Sequence, residues 1–389
     1  MKITKEMLEQ VTAWRRHLHA HPELGFEEHH TSEFIAKTLS ELGIEVHRGI
    51  AKTGVVGVLK RGTSARSIGL RADMDALPLV ELGEVEYRST HVGSMHACGH
   101  DGHTAMLLGA AKYLSQHGKF DGTVYFIFQP AEENLGGGRA MVEDGLFERF
   151  SIDQVYGMHN WPGRPLGDIC VNDEAMMASF DIFDIELVGH GGHAAIPEKT
   201  RDPIVAAAEL VQHLQSIISR RVSAHDAAVL SVTQISGGET YNIIPEKVQL
   251  KGTVRALNES VRLEVKQQLI KAVESLPLLR EVKGSIDYQD GYPATINTPE
   301  RAQKVRSIVA QVFGQERVFE GVLPSMASED FSFMLREKAG AYIWLGVDDP
   351  SGEKPSAPLH NPYYDFNDDA LEIGIRIWVS LVEQLGVTL

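Results

Sequence analysis

The sequence predicts an α/β protein, a mostly parallel sheet layered with helices and interrupted by an inserted α+β domain of ferredoxin-like order. Three observations carry this. Short β-branched strands alternate with amphipathic helices in the first part of the chain. After about Ala178 the order changes to strand–helix–strand–strand–helix–strand, the βαββαβ pattern. At 389 residues, the chain also exceeds what one hydrophobic core usually serves. The expected division is a discontinuous first domain, residues 1–178 and 294–389, and a second domain over residues 179–293, a normal domain size.

The elements follow in order. Residues 5–19 and 31–43 carry helical spacing, and Gly43 closes the second helix. Apolar runs at 53–59 and 67–71 read as strands. A helix from 103 to about 117 places Ala105, Leu108, Ala111 and Leu114 on one face. Strands are expected again at 123–129 and 154–158. Beyond Ala178, SFDIFDIELVGHGG alternates as a strand does, and a helix runs from Pro203 to about 221. AAVLSVTQISGG and KVQLKGTVRAL are the next strands, then a helix from 260 to about 274, then the strand SIDYQDGYPAT. Helix-rich sequence resumes after Asn297.

Composition narrows the functional class. The formal charge of −16 argues against nucleic acid and anionic membrane surfaces as partners. Two cysteines, Cys98 and Cys170, build no disulfide framework. The N-terminal segment lacks the apolar core of a signal peptide, and no apolar run approaches the ~20 residues that span a bilayer. A cytoplasmic protein is the plain expectation.

Chemistry concentrates in four segments, each at the end of an apolar run. Cys98-Gly-His100 turns tightly on its glycine. As a pair it reads either as two metal ligands or as a buried cysteine beside a helix cap, and the helix following it is expected to keep the thiol ionised. Asp101 and His103 are candidates for orienting His100 or the helix start. Glu132 and Glu133 stand in tandem after the strand TVYFIF, costly to bury without a cation. His159 follows DQVYGM at an expected strand end, and His360 lies in the proline-flanked loop APLHNP. Open α/β sheets bind ligands outside the carboxyl edge of their strands, so these tips are expected to share one cleft. One cysteine, three histidines and one glutamate exceed a single tetrahedral zinc and suit two cations sharing a ligand, with a second glutamate left to move protons. The glycines at 136–138 lack the spacing of a phosphate cradle.

WRRHLHAHPELGFEE, GLRADMDALP, HACGHDGHTAMLLGAA, FQPAEE, GMHNWP, GHGGHAAIP, NIIPEKV, GTVRAL, SEDFSF and LHNP, in this order, resemble the aminoacylase/carboxypeptidase-type metallopeptidase superfamily along almost the whole chain. Within it they resemble the branch of hippurate hydrolases, N-acyl-amino-acid amidohydrolases and auxin-conjugate hydrolases. The wider superfamily often has His-x-Asp where this chain reads Arg71-Ala72-Asp73, a departure shared by that branch. The resemblance implies a dinuclear site of Cys98, as bridging ligand, with His100, Glu133, His159 and His360. It implies manganese or zinc, with nickel or cobalt as further choices, and Glu132 as general base and acid. It also implies that the inserted domain is a lid serving in dimerisation or higher homo-oligomers. From that lid His193 would steady an oxyanion, often across a dimer, while Asn242 and Arg255 contact substrate. The expected reaction is hydrolysis of small N-acyl amino acids. A papain-like thiol hydrolase using Cys98, a histidine and Asn160, a metal-dependent dipeptidase or carboxypeptidase, and a silent acyl-amino-acid binding protein are the competing readings.

Overall fold

The computed structural model describes residues 1–349, 351 and 357–386. The chain forms two compact units: Met1–Met176, Ile296–Leu323 and the described residues of Asp330–Leu389 make one, and Met177–Thr295 with Pro324–Glu329 the other. Pro324–Glu329 belongs to the second unit although the sequence reading left it in the first domain. Backbone bonds explain this, because Ala178 N–H donates to the carbonyls of Ser325 and Ala327.

In the first unit, helices α1 (Lys5–Ala20) and α2 (His29–Glu41) precede strands β1 (Glu45–Ile50), β2 (Gly54–Arg61) and β3 (Ser67–Asp73). Helix α3 (His100–His117), strand β4 (Gly122–Gln129), the single turn α4 (Glu132–Leu135), and strands β5 (Gln154–Pro165) and β6 (Ile169–Cys170) follow. The second unit contributes β7 (Phe180–Val188), β8 (Gly192–His193), α5 (Pro203–Arg221), β9 (Ala228–Ser236), β10 (Ile243–Ile244), β11 (Lys247–Ala256), α6 (Glu259–Ser275) and β12 (Lys283–Tyr292). The first unit resumes with α7 (Pro299–Phe313), β13 (Val318–Phe319), β14 (Ala339–Asp348) and α8 (Ala370–Leu381).

The first unit's sheet has the order β1-β2-β4-β3-β5-β14-β6-β13. Its centre, β4-β3-β5-β14, is parallel, and β1 and β2 extend it antiparallel at one edge. The sequence reading missed β1. EVHRGI is an edge strand exposed or half-buried at every position but its last, so it lacks the apolar alternation that marks a half-buried strand. Helix α3 is buried nearly all round and rich in Gly and Ala, which lets neighbours approach closely. A Cβ on Gly109 would meet Ile375 of α8 at 2.6 Å. Leu107, Leu108, Ala111 and Leu114 join Val11, Ile375 and Trp378 in one core.

The second unit's antiparallel sheet runs β9-β11-β7-β12, the strand order that the βαββαβ connection produces. Strand β11 alternates exposed and buried residues along its first half, as expected of a sheet with one wet face. Leu210 and Leu214 of α5 and Leu269 and Val273 of α6 close the other face over Phe183, Ile185 and Leu250. A buried pair, Arg262 with Asp181 at 2.6 and 2.8 Å, ties α6 to β7.

Candidate metal centre

Parallel pairing delivers the chemical groups to one edge. Asp73, last in β3, stands opposite Gln129, last in β4, and Arg71 stands opposite Gly157 of β5. Glu132 and Glu133 therefore leave one strand tip beside Asp73, and His159 lies two residues past the point where β3 and β5 last pair. His159 is not at a strand end as expected. Strand β5 continues to Pro165 because β14 keeps pairing with it, His159 opposite Trp344. Helix α3 begins three residues earlier than its spacing suggested, with His100 in its first turn and Gly99 at φ 89° before it. A Cβ on Gly99 would meet the Asn160 side chain at 2.3 Å, so only glycine fits this approach. The His360 loop is tied in by its own backbone, His360 N–H donating to Ala97 O at 2.8 Å.

These supports bring all five expected ligands and Glu132 together. Ligand-type atoms of Cys98, Glu133 and His360 lie within 4.8 Å of one another, as do those of His100, Glu132 and Glu133, and those of Asp73, His100, His103 and His159. Cys98 Sγ is 3.4 Å from His159 Nε2, and His360 Nε2 is 3.1 Å from Glu133 Oε1. Cys98, His100, Glu132 and His159 are buried, while His360 is half exposed at the rim.

The donor chemistry fits divalent cations. His100 Nδ1 faces two oxygens of Asp75, the carbonyl at 2.9 Å and the carboxylate at 3.2 Å, so it must donate its proton there. His159 Nδ1 faces Asn160 O at 2.6 Å and donates likewise. Both rings thus turn Nε2 into the cluster, the arrangement found behind metal-binding histidines. His100 Nε2 is buried with no hydrogen-bond partner among the described residues, Asp73 Oδ2 lying 3.8 Å away, and Glu133 Oε1 faces the His360 imidazole at 3.1 Å. A buried polar atom left so is costly unless a ligand meets it.

The field in the cluster is strongly negative. Burial works against charge on His100, but Asp73, Asp75 and Glu133 outweigh it and hold its pKa up to about 10. Burial, then His103, presses His159 well below the usual histidine range. Burial, with Glu133, Glu132 and Asp73, pushes the Cys98 thiol well above its ordinary value. The help expected from the helix N-terminus in keeping the thiol ionised is opposed here by three carboxylates and by desolvation.

Asp73 and Asp75 were missed as supports, although a carboxylate pair two residues apart at a strand end was a visible signal. Asp73 Oδ1 is 2.5 Å from His103 Nδ1, and Asp75 Oδ2 accepts Glu133 N–H at 3.0 Å. Buried Arg71 holds Asp73 at 2.7 Å and Asp330 at 3.1 Å. Asp101 does not orient His100. It turns away to His19 at 2.8 Å and Arg15 at 3.6 Å. A papain-like triad also lacks its geometry, because the Asn160 side chain binds His103 and Tyr364 rather than His159.

The other three expected residues belong to the second unit. His193 pairs with Ile243 between β8 and β10, is exposed, and its Nδ1 accepts from Ala195 N–H at 3.0 Å. Asn242 adjoins it, its carbonyl accepting Ala194 N–H at 3.0 Å. Arg255 lies on β11, donating to Met326 O at 3.0 Å and lying 4.7 Å from the Phe180 ring.

A carboxyl-edge cluster of thiol, imidazoles and carboxylates on this fold defines a metal-dependent hydrolase. Residues 69–384 match the model of peptidase family M20/M25/M40, and the chain belongs to that family. It is 43% identical over 367 residues to the hippurate hydrolase of Campylobacter jejuni, covering 94% of each chain. It is 39% identical over 340 residues to the N-acetyl-L-cysteine deacetylase of Bacillus subtilis, covering 87% of this chain and 80% of that one. A solved structure of a dinuclear metal-binding M20 peptidase from Bacillus subtilis superposes with a TM-score of 0.86 at 30% identity, covering 98% of this chain and 99% of the other. The protein is accordingly a metal-dependent amidohydrolase. No helix among the described residues is long and apolar enough to cross a membrane.

Proposed function

We propose that the protein hydrolyses the amide bond of N-acyl amino acids, releasing a carboxylic acid and a free amino acid. The observation that carries this reading is the meeting of Glu132 with the ligand-type atoms of His100 and Glu133 inside one buried cluster. Cys98, His100, Glu133, His159 and His360 would hold two divalent cations, manganese or zinc in the first instance. When bound, such cations polarise an amide carbonyl and acidify water. Glu132, next to the ligands yet surplus to them, takes the proton of the attacking water and returns it to the leaving amine. His193 steadies the oxyanion, a partner subunit supplying it in a dimer, and Asn242 and Arg255 recognise the amino-acid portion. Hippurate hydrolase and N-acetyl-L-cysteine deacetylase, two relatives named for N-acyl amino acid substrates, support the substrate class.

A hydrolysis screen on metal-reconstituted protein, with acetyl, benzoyl and indole-acetyl amino acids beside free dipeptides, tests the substrate. Turnover of dipeptides alone would overturn it. Glu132→Gln tests the mechanism: metal content and substrate affinity stay near wild type while turnover falls at least ~10²-fold. Loss of metal would make Glu132 a ligand, and normal turnover would place the proton shuttle elsewhere.

A further inference from the structure

The segment HPELGFEE contributes no ligand, yet its Glu28 is a fully buried carboxyl outside the cluster. Glu28 Oε1 accepts Ala131 N–H at 2.8 Å, and Oε2 accepts the Thr53 hydroxyl at 2.6 Å. Ala131 immediately precedes Glu132 and sits at φ 53°, ψ 44°, a left-handed conformation costly for any residue with a Cβ. Six non-glycine residues among those described have positive φ. Four of them, Phe26, Ala51, Lys52 and Ala131, lie within two residues of Glu28, Thr53 or Ala131. Strain gathered in this way persists only where surrounding contacts over-determine it, and it concentrates at functional sites.

The turn is held from both sides. Gly137 N–H donates to Ala131 O at 2.9 Å, and a Cβ on Gly25 would meet Ala131 at 3.0 Å. Glu133 has its own anchor in Asp75, whereas Glu28 anchors the Pro130–Ala131 peptide, one residue before Glu132. We propose that Glu28 is a positioning residue that clamps the left-handed Ala131 peptide and so aims the Glu132 carboxylate. Burial pushes the Glu28 carboxyl up to about 7, Thr53 opposing and Asp75 adding. Oε1 accepts the Ala131 amide in either charge state, so the clamp is a matter of reach rather than of charge.

The inference rests on Glu132 being the proton shuttle. Glu28→Ala removes both contacts, whereas Glu28→Gln keeps an acceptor for Ala131 and a donor for Thr53. Glu28→Ala is expected to lower kcat at least about tenfold with KM within about threefold, because small misplacements of a reacting group are costly. Its metal content should match wild type. Hydrogen exchange of the Ala131 amide, measured on the metal-free protein, should quicken in Glu28→Ala and stay slow in Glu28→Gln, which also restores kcat. If Glu28→Ala does not fold, Glu28→Asp, one methylene short of Ala131, serves for the same comparison.

Wild-type kcat despite a freely exchanging Ala131 amide overturns the proposal, as does an equal loss of kcat in Glu28→Gln or a change confined to KM. Normal turnover in Glu132→Gln sinks the proton-shuttle reading instead, and with it the aim assigned to this clamp. The exchange data then report the Ala131 contact alone.

Discussion

Asp75 shows how much one side chain can decide at this site. Its carbonyl and carboxylate fix the tautomer of His100, and its second carboxylate oxygen holds the backbone of Glu133. Asp75→Ala removes the carboxylate from both groups, leaving His100 only the backbone carbonyl, and metal affinity should fall roughly 10–100-fold, the usual cost of losing such a support. Competition with a chromophoric chelator reads this directly, and unchanged affinity would show that His100 and Glu133 are placed by other contacts. Further back, His19 lies between Asp101 at 2.8 Å and Glu81 at 3.3 Å. Burial disfavours its charge, but the two carboxylates outweigh that and hold its pKa up to about 9, above the ordinary 6.5. A folded pKa above the unfolded one stabilises fully below 6.5 and loses that contribution as pH rises through about 9. His19→Gln should therefore lower Tm markedly at pH 6 and much less at pH 10. An equal loss at both would mean that packing, not charge, is what His19 supplies. The role of His19 was not legible in the sequence, because His19 and Glu81 are 62 positions apart and meet only through the fold.

Among the elements, helix α3 carries the most constraint. Its first turn bears His100, and its body is packed so closely that a Cβ on Gly102 would lie 2.3 Å from the Phe366 ring. Phe366 is buried and has little room to give way. Gly102→Ala should cost about 1–3 kcal/mol, the range for overpacking a tight core, read as a lower denaturant midpoint at unchanged slope. A neutral result would show that the helix shifts freely and does not rigidly place His100. Periodicity revealed α3 because its apolar face is continuous. It did not reveal where the helix begins, since Gly99 in a left-handed conformation starts it beside Cys98 without a side-chain cap. The end of β5 was hidden for a related reason. HNWPGRP reads as a loop until β14 supplies the partner that keeps it extended.

For the whole molecule, the second unit has its own core around Leu210, Leu250 and Leu269, and its own buried ion pair, Arg262 with Asp181. An excised fragment of residues 177–295 should fold by itself with a cooperative thermal transition; a broad, non-cooperative melt would show that it depends on the rest of the chain. The proposed action of His193 across a dimer has a separate test. Subunits carrying His193→Ala, mixed with subunits carrying Glu132→Gln, should regain activity once exchanged, because half the heterodimer's sites are then intact. No recovery despite verified exchange would place His193 within its own subunit or outside the reaction.

The α/β class, the order of the βαββαβ segment and the set of ligand-type residues could all be read from the chain before it folds. Each of these rests on local information: alternation, helical spacing, and side chains whose chemistry does not change with context. What those residues are to one another emerges from the folded arrangement. Parallel register brought Asp73, His159 and the turn that carries Glu133 to one edge of the sheet, and backbone contacts drew in His360. The same folding sent Asp101 away from His100 towards His19 and Arg15. The ionisation of Cys98 was likewise beyond local reading, since it depends on desolvation and on carboxylates contributed by distant strand ends.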